Sequence, residues 1–195
     1  MLPSYRVIVL PPQENLEGAK TLYMRASFMI SFSIFVDMEK REQFMLEAIE
    51  MADNNVRNGG GPFAALIVRG DQIVGRGINR VTGNNDPTAH GEVTAIRDAC
   101  ANLKTYDLSD CDIYTSCEPC PMCLGAIYWA HIRHIYYGNT QQDAAEINFD
   151  DSHIYRQIER PIGDRAIPET RLCSERAKGT FRLWSDKTDK ILYIA

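Results

Sequence analysis

One histidine and two cysteines, far apart in the sequence, limit what this chain can fold into more than any other feature. The segments are His90-Gly91-Glu92 and Pro119-Cys120-Pro121-Met122-Cys123. An imidazole and two thiolates are donors that zinc prefers, and three protein ligands leave the fourth position open, as a catalytic rather than a structural ion requires. Cys120 and Cys123 are three apart, so both sulfurs share one face of a helical first turn, and the prolines at 119 and 121 suit a helix opening there. A helix N-terminus favours anions and lowers thiol pKa. His90 follows Asp86-Pro87-Thr88, near a second helix start. Any fold compatible with this pattern brings two helix starts onto one point. Glu92 is only two residues from His90, and on a regular helix such residues do not share a face. The pair therefore has to converge at the opening turn, which spacing alone does not supply. Cys117 leaves another arrangement open, a closed structural site of three cysteines and a histidine. The proline before Cys120, the glutamate after His90 and the strand-to-helix contexts argue against it.

Around these segments the periodicity predicts one α/β domain. Asp37 reads as an N-cap to a helix whose apolar stripe is Phe44, Met45, Ala48, Ile49 and Ala52, ending near Asn58-Gly59-Gly60-Gly61. Strands are expected over residues 63–69 and 72–78, joined by the hairpin pair Gly70-Asp71. A helix over 89–103, a strand over 112–116, a helix over 121–131 and a strand over 134–137 follow. Residues 140–159 are mixed and partly helical, and 178–190 form a last helix. Residues 1–38 look foreign to the rest: the stretch 13–18 reads as loop, and the apolar runs at 7–10 and 28–36 lack a clear period. The expected division is 1–38 as an N-terminal extension, 39–160 as the zinc domain and 161–195 as a C-terminal segment.

Composition excludes several classes. The apolar stretch 26–36 is too short to cross a bilayer, which takes roughly 20 residues. Asp37-Met38-Glu39-Lys40 follows it with no small-residue cleavage site, so a cytoplasmic protein without a membrane is expected. The six cysteines, three of them crowded into 117–123, do not read as a disulfide framework. Cys100 and Cys111 sit among apolar neighbours as small core residues, and Cys173 has no evident role. The formal charge is −5. Residues 39–138 hold 9 Lys and Arg against 13 Asp and Glu, so the part that carries the chemistry is acidic. Nucleic-acid backbones are gripped by basic faces. A small substrate fits better.

The joint pattern H-x-E…P-C-x-x-C is the zinc-deaminase form. From about Glu39 to Tyr193 the chain resembles the cytidine-deaminase-like superfamily, and within it the bacterial guanine deaminases. The closer resemblance is carried by Gly60-Gly61-Pro62-Phe63, by residues 85–97 and 114–130, by Asp143-Ala144-Ala145-Glu146 and by Phe149-Asp150-Asp151. It implies a three-layer α/β/α sandwich around a central mixed sheet, one zinc per chain held by His90, Cys120 and Cys123, and a homodimer. It also implies a C-terminal segment that closes its own or the partner's active site. Glu92 would shuttle protons, and Asp151 would contact guanine's amino edge. Asn79 would hydrogen-bond the base, Phe63 and Trp129 would lie near the pocket, and Tyr193 would complete it. The backbone N–H of Gly91 could meet the substrate's carbonyl. Three departures stand out: Gly91 where the family usually has alanine, Ala64 where it usually has glycine, and residues 1–38, which have no counterpart.

The implied reaction is hydrolysis of guanine to xanthine and ammonia. Water activated at the zinc, whose pKa falls to about 7, would attack C2. Rival readings are deamination of guanosine, of an aminotriazine or of adenosine in transfer RNA, and, from a different class, a non-catalytic zinc-binding interaction module. Glu92 argues against the last, because a structural site needs no proton shuttle.

Overall fold

The computed structural model describes residues 16–194, with side chains from residue 37 onward. The chain divides into two compact units, Met1–Gln43 and Phe44–Ala195. In order the elements are α1 (Leu16–Arg57), β1 (Ala64–Arg69), β2 (Gln72–Ile78), α2 (Val81–Asn84), α3 (Gly91–Leu103), β3 (Cys111–Cys117), α4 (Pro121–Trp129), β4 (His134–Asn139), α5 (Gln141–Glu146), α6 (Ser152–Glu159), a 3-10 turn Ile162–Asp164 and α7 (Ser174–Asp186). No helix among the described residues is long and apolar enough to cross a membrane.

The N-terminal expectations need correcting. Asp37 is not an N-cap, because α1 runs unbroken from Leu16 to Arg57. No glycine or proline stands between Gly18 and Arg57 to stop it, so the helix propagates through Asp37 and through the stretch 28–36. Asp37 instead pairs with Arg41 one turn later, at 2.5 Å. The loop expected over 13–18 is already helical from Leu16, while the run 7–10 lies outside the described residues. The helix ends where expected, with Gly59 at φ +79° just beyond it.

The four strands form one mixed sheet in the order β2-β1-β3-β4. β1 is antiparallel to both β2 and β3, and β3 is parallel to β4. The expected hairpin closes at Gly70, whose φ of +59° is the left-handed conformation such a turn demands. Residues 64–68 are all buried. Ala65 and Ile67 join Ile113 in a core with Ala95 and Ala99 of α3 and Ile127 of α4. Leu66 and Val68 point the other way, into a core with Tyr114 and with Phe44, Met45 and Ala48 of α1. One strand thus feeds two cores, which is why it reads as a continuous apolar run rather than an alternating one. The result is a three-layer α/β/α arrangement, as the resemblance implied.

What sets α3 on the sheet is the absence of side chains beneath it. A Cβ at Gly77 would lie 2.0 Å from the carbonyl oxygen of Gly91 and 2.3 Å from the Ala95 nitrogen. A Cβ at Gly75 would lie 2.5 Å from the Ala95 carbonyl oxygen. The bare stretch of β2 lets the first turns of α3 rest directly on the strand, and that seats His90 and Glu92. Gly77→Ala should therefore lower the free energy of unfolding by about 1–3 kcal/mol, as overpacking does. Gly83→Ala, where a Cβ meets open space, should stay within about 0.5 kcal/mol of the parent. Urea denaturation of the two variants checks the difference.

Candidate active site

Two helix starts meet at one point. His90 is the N-cap of α3, with extended backbone (φ −74°, ψ 157°), and Cys120 is the N-cap of α4 in a similar conformation (φ −64°, ψ 167°). Pro121 occupies the first helical position of α4, where its missing N–H costs nothing. Cys123, in the first turn of α4, is fully buried. The His90 Nδ1 lies 3.5 Å from each sulfur, and the three ligand atoms are all within 4.8 Å of one another. The same geometry explains how His90 and Glu92 converge. His90 stands outside the helix on extended backbone, so its side chain is not bound to the helical lattice that would separate it from Glu92. Glu92, in the first turn, is 6% exposed and places Oε2 3.4 Å from the Cys123 sulfur.

The electrostatics follow from burial and from these contacts. The hydrogen bond from Cys123 is the largest of the effects that bring the Cys120 thiol down to about 4. Giving that bond, and being buried, holds the Cys123 thiol above its usual range. His90 is raised, chiefly by its hydrogen bond with Cys120, and Glu92 is raised by its burial. The group thus holds one ready thiolate, and a second thiol that gives up its proton to a cation. One imidazole and two sulfurs at the positive ends of two helices suit zinc, and His90, Cys120 and Glu92 all line a cavity of about 420 Å³. Cys117 stands apart from the group. It is buried, its sulfur lies 3.6 Å from the Thr140 carbonyl oxygen, and desolvation pushes its thiol up to about 11.

The cavity gathers some of the residues singled out from the sequence and leaves others elsewhere. Asn79, Phe63 and Asp151 line it. Phe63 meets Phe149 edge to face, with centroids 4.9 Å apart. Asn79 is buried, its backbone tied to the Phe63 carbonyl at 2.8 Å and to the side-chain amide of Asn55 at 2.8 Å. Gly91 is buried beneath the site, and a Cβ there would stand 3.0 Å from the Ala64 Cα. Gly91 and Ala64 are therefore neighbours in space. Trp129 does not line the cavity. It is the last residue of α4, roughly 13 Å along the helix from Cys120 at 1.5 Å per residue, and is 56% exposed. Tyr193 lies beside it, with ring centroids 6.0 Å apart, and the neighbouring Ile194 carbonyl pairs with His131. Residues 193 and 194 therefore rest at the far end of α4 and do not line the cavity. Phe181 and Trp184 belong to α7 and are exposed, Phe181 by 78%.

Sequence reasoning missed Asn55, Val81, Thr82, Gln141 and Ile154. Asn55 is buried, and its amide spans the Gly61 and Asn79 carbonyls, each at 2.8 Å. In the sequence it is one asparagine among several at a helix end, with nothing to separate it from a capping residue. The other four line the cavity from α2, α5 and α6, short elements with too few residues to show a period.

Residues 38–139 match the family of the cytidine and deoxycytidylate deaminase zinc-binding region. Guanine deaminase from Bacillus subtilis is 48% identical over 78% of this chain and 98% of its own. Its crystal structure superposes with a TM-score of 0.77 over the same shares. A variant of the protein NE0047 in complex with 8-azaguanine is 34% identical, with a TM-score of 0.54 over 70% of this chain and 71% of that one. A tRNA-specific adenosine deaminase from Buchnera aphidicola is 37% identical over 51% of this chain and 66% of its own.

The separation of Cys117 from the three-donor group yields a measurable expectation. Cys120→Ser should lose bound zinc, whereas Cys117→Ser should retain one zinc per chain by elemental analysis. Loss of zinc from the Cys117 variant would restore the closed structural arrangement.

Proposed function

This chain belongs to the guanine deaminases of the cytidine and deoxycytidylate deaminase zinc-binding family, and from that premise we propose that it hydrolyses guanine to xanthine and ammonia. The observation that carries the reading is a buried glutamate in contact with a three-donor metal group, in a cavity that has a second carboxylate on its wall. Bound by His90, Cys120 and Cys123, zinc supplies a Lewis acid that makes water nucleophilic at neutral pH. Glu92 takes the proton that water loses as it adds to C2 of guanine. The same carboxyl then delivers protons to a ring nitrogen and to the departing amino group, so that water and guanine become xanthine and ammonia. Burial raises its pKa above the ordinary carboxylate value, which favours its holding a proton between steps. Asp151 accepts from the N–H groups at the amino edge, an arrangement that complements an amidine-like centre. The Asn79 amide hydrogen-bonds the base, the Gly91 N–H meets its carbonyl, and Phe63 packs against the ring. A cytoplasmic setting suits a site that depends on two free thiols.

The active unit in this reading is a homodimer with exchanged C-terminal segments. None of residues 161–194 is buried, yet they carry Ile162, Ile167, Leu172, Phe181 and Leu183 largely in the open. Exposed apolar surface of this extent marks a protein contact. Trp129 and Tyr193, paired at the far end of α4, would then complete the pocket of the partner subunit.

Glu92→Gln should remain folded and hold zinc while guanine turnover falls by about 10²–10⁴-fold. An ammonia-release assay over guanine, guanosine, cytosine and adenine checks this and the substrate together; turnover of the variant within threefold of the parent would remove Glu92 from its role. Deleting residues 191–195 should leave zinc and fold in place and cut turnover at least about tenfold, a barrier increase of about 1.4 kcal/mol. Mixing the truncated protein with Glu92→Gln should restore activity, because the hybrid has one site with both Glu92 and a tail. No restoration would mean that each tail serves its own site.

A further inference from the structure

Of the carboxylates that line the cavity, the two that the proposed reaction uses are held in different ways. Glu92 is locked by burial inside the first turn of α3. Asp151 is only half-buried, and although it stands at the N-cap of α6 its side chain makes no cap hydrogen bond. A carboxylate in such a place rotates easily, since its terminal torsion is broad and two-fold. Gln141 supplies what α6 does not. Its Nε2 donates to Asp151 Oδ1 at 2.5 Å.

Gln141 is itself well held. It is the first residue of α5, whose start is closed by a reciprocal capping box between Thr140 and Asp143. Its backbone N–H donates to Glu118 Oε2 at 3.0 Å. Glu118 precedes Pro119, and the Pro119 carbonyl accepts from the Tyr155 hydroxyl of α6 at 3.2 Å. The loop leading into Cys120 is therefore joined to α6 twice, once through Tyr155 and once through Gln141 and Asp151. This ring refers the position of Asp151 to the loop that carries a metal ligand.

We infer that Gln141 is a positioning residue for the reaction: by engaging Oδ1 of Asp151 it leaves Oδ2 as the acceptor for the substrate's N–H groups and stops the carboxylate from turning. The inference rests on the reading of Asp151 as the group that meets the amino edge of the base. The Gln141 side chain has little else to do. Thr140 and Asp143 cap α5 without it, its backbone bond to Glu118 survives any substitution except proline, and it belongs to neither apolar core. A donor that orients a reacting partner acts through alignment, where small misplacements cost up to about a hundredfold.

The test is a double-mutant cycle on the full-length, zinc-loaded protein. Gln141→Met keeps the length of the side chain and removes its N–H, while Asp151→Asn keeps the shape of the carboxylate and removes its charge. Gln141→Met should lower kcat/KM for guanine by about ten- to a hundredfold, with zinc content and the unfolding midpoint unchanged. In the Asp151→Asn background the same change should have no further effect beyond about twofold, and calorimetric binding of 8-azaguanine should show the same dependence. Gln141→Glu, isosteric and polar, should be worse than Gln141→Met because it sets like charges together, and it provides the same comparison if the methionine disturbs the fold. An unimpaired Gln141→Met beside an impaired Asp151→Asn would overturn the role of Gln141 and leave that of Asp151. Equal losses in both backgrounds would also overturn it, showing an effect that does not pass through Asp151. An unimpaired Asp151→Asn would overturn both.

Discussion

Everything in this molecule that bears on chemistry depends on two helices beginning at the same place. A helix start is a cluster of unpaired N–H groups with a partial positive charge, and two of them facing each other are tolerable only if something anionic lies between. The Cys120 thiolate is that something, with Cys123 and Glu92 beside it, and His90 closes the group from the other side. The sheet carries the geometry. β1 and β3 lie side by side, α3 and α4 cover the same face of them, and the glycines of β2 let α3 approach until its backbone rests on the strand. The site is thus a product of packing at some distance from it, and the donors need no scaffold of their own.

The strongly patterned parts of the chain announced this arrangement. The continuous apolar run at 64–68, the turn at Gly70-Asp71 and the prolines around Cys120 each have one reasonable structural meaning, and each has it here. The pairing of His90 with Glu92 did not follow from spacing, because helical geometry says nothing about a residue one step outside the helix. The extended backbone of His90 resolves it. The start of α1 was misread for the opposite reason: Asp37 is a good cap by residue type, but type alone does not stop a helix that has already begun. The walls of the cavity were the least legible. Val81, Thr82, Gln141 and Ile154 come from short elements whose positions are set by tertiary contacts, and these leave no periodic trace.

The C-terminal segment shows where composition stops short of assigning a surface. Its apolar residues suggest a surface meant for contact. Within one chain, however, Phe181 and Leu183 face solvent, and Tyr193 lies tilted beside Trp129 at the end of α4 remote from the metal group. Hydrophobic patterning reports that a surface is to be covered and is silent about which molecule covers it.

The contact between Gly91 and Ala64 has a historical side. A methyl group at 91 would press on the backbone of residue 64, 3.0 Å away, and that backbone has less room to yield while it carries a methyl of its own. The two positions are therefore epistatic. A lineage can hold alanine at one and glycine at the other, but the passage between these states runs through a crowded or a hollow intermediate.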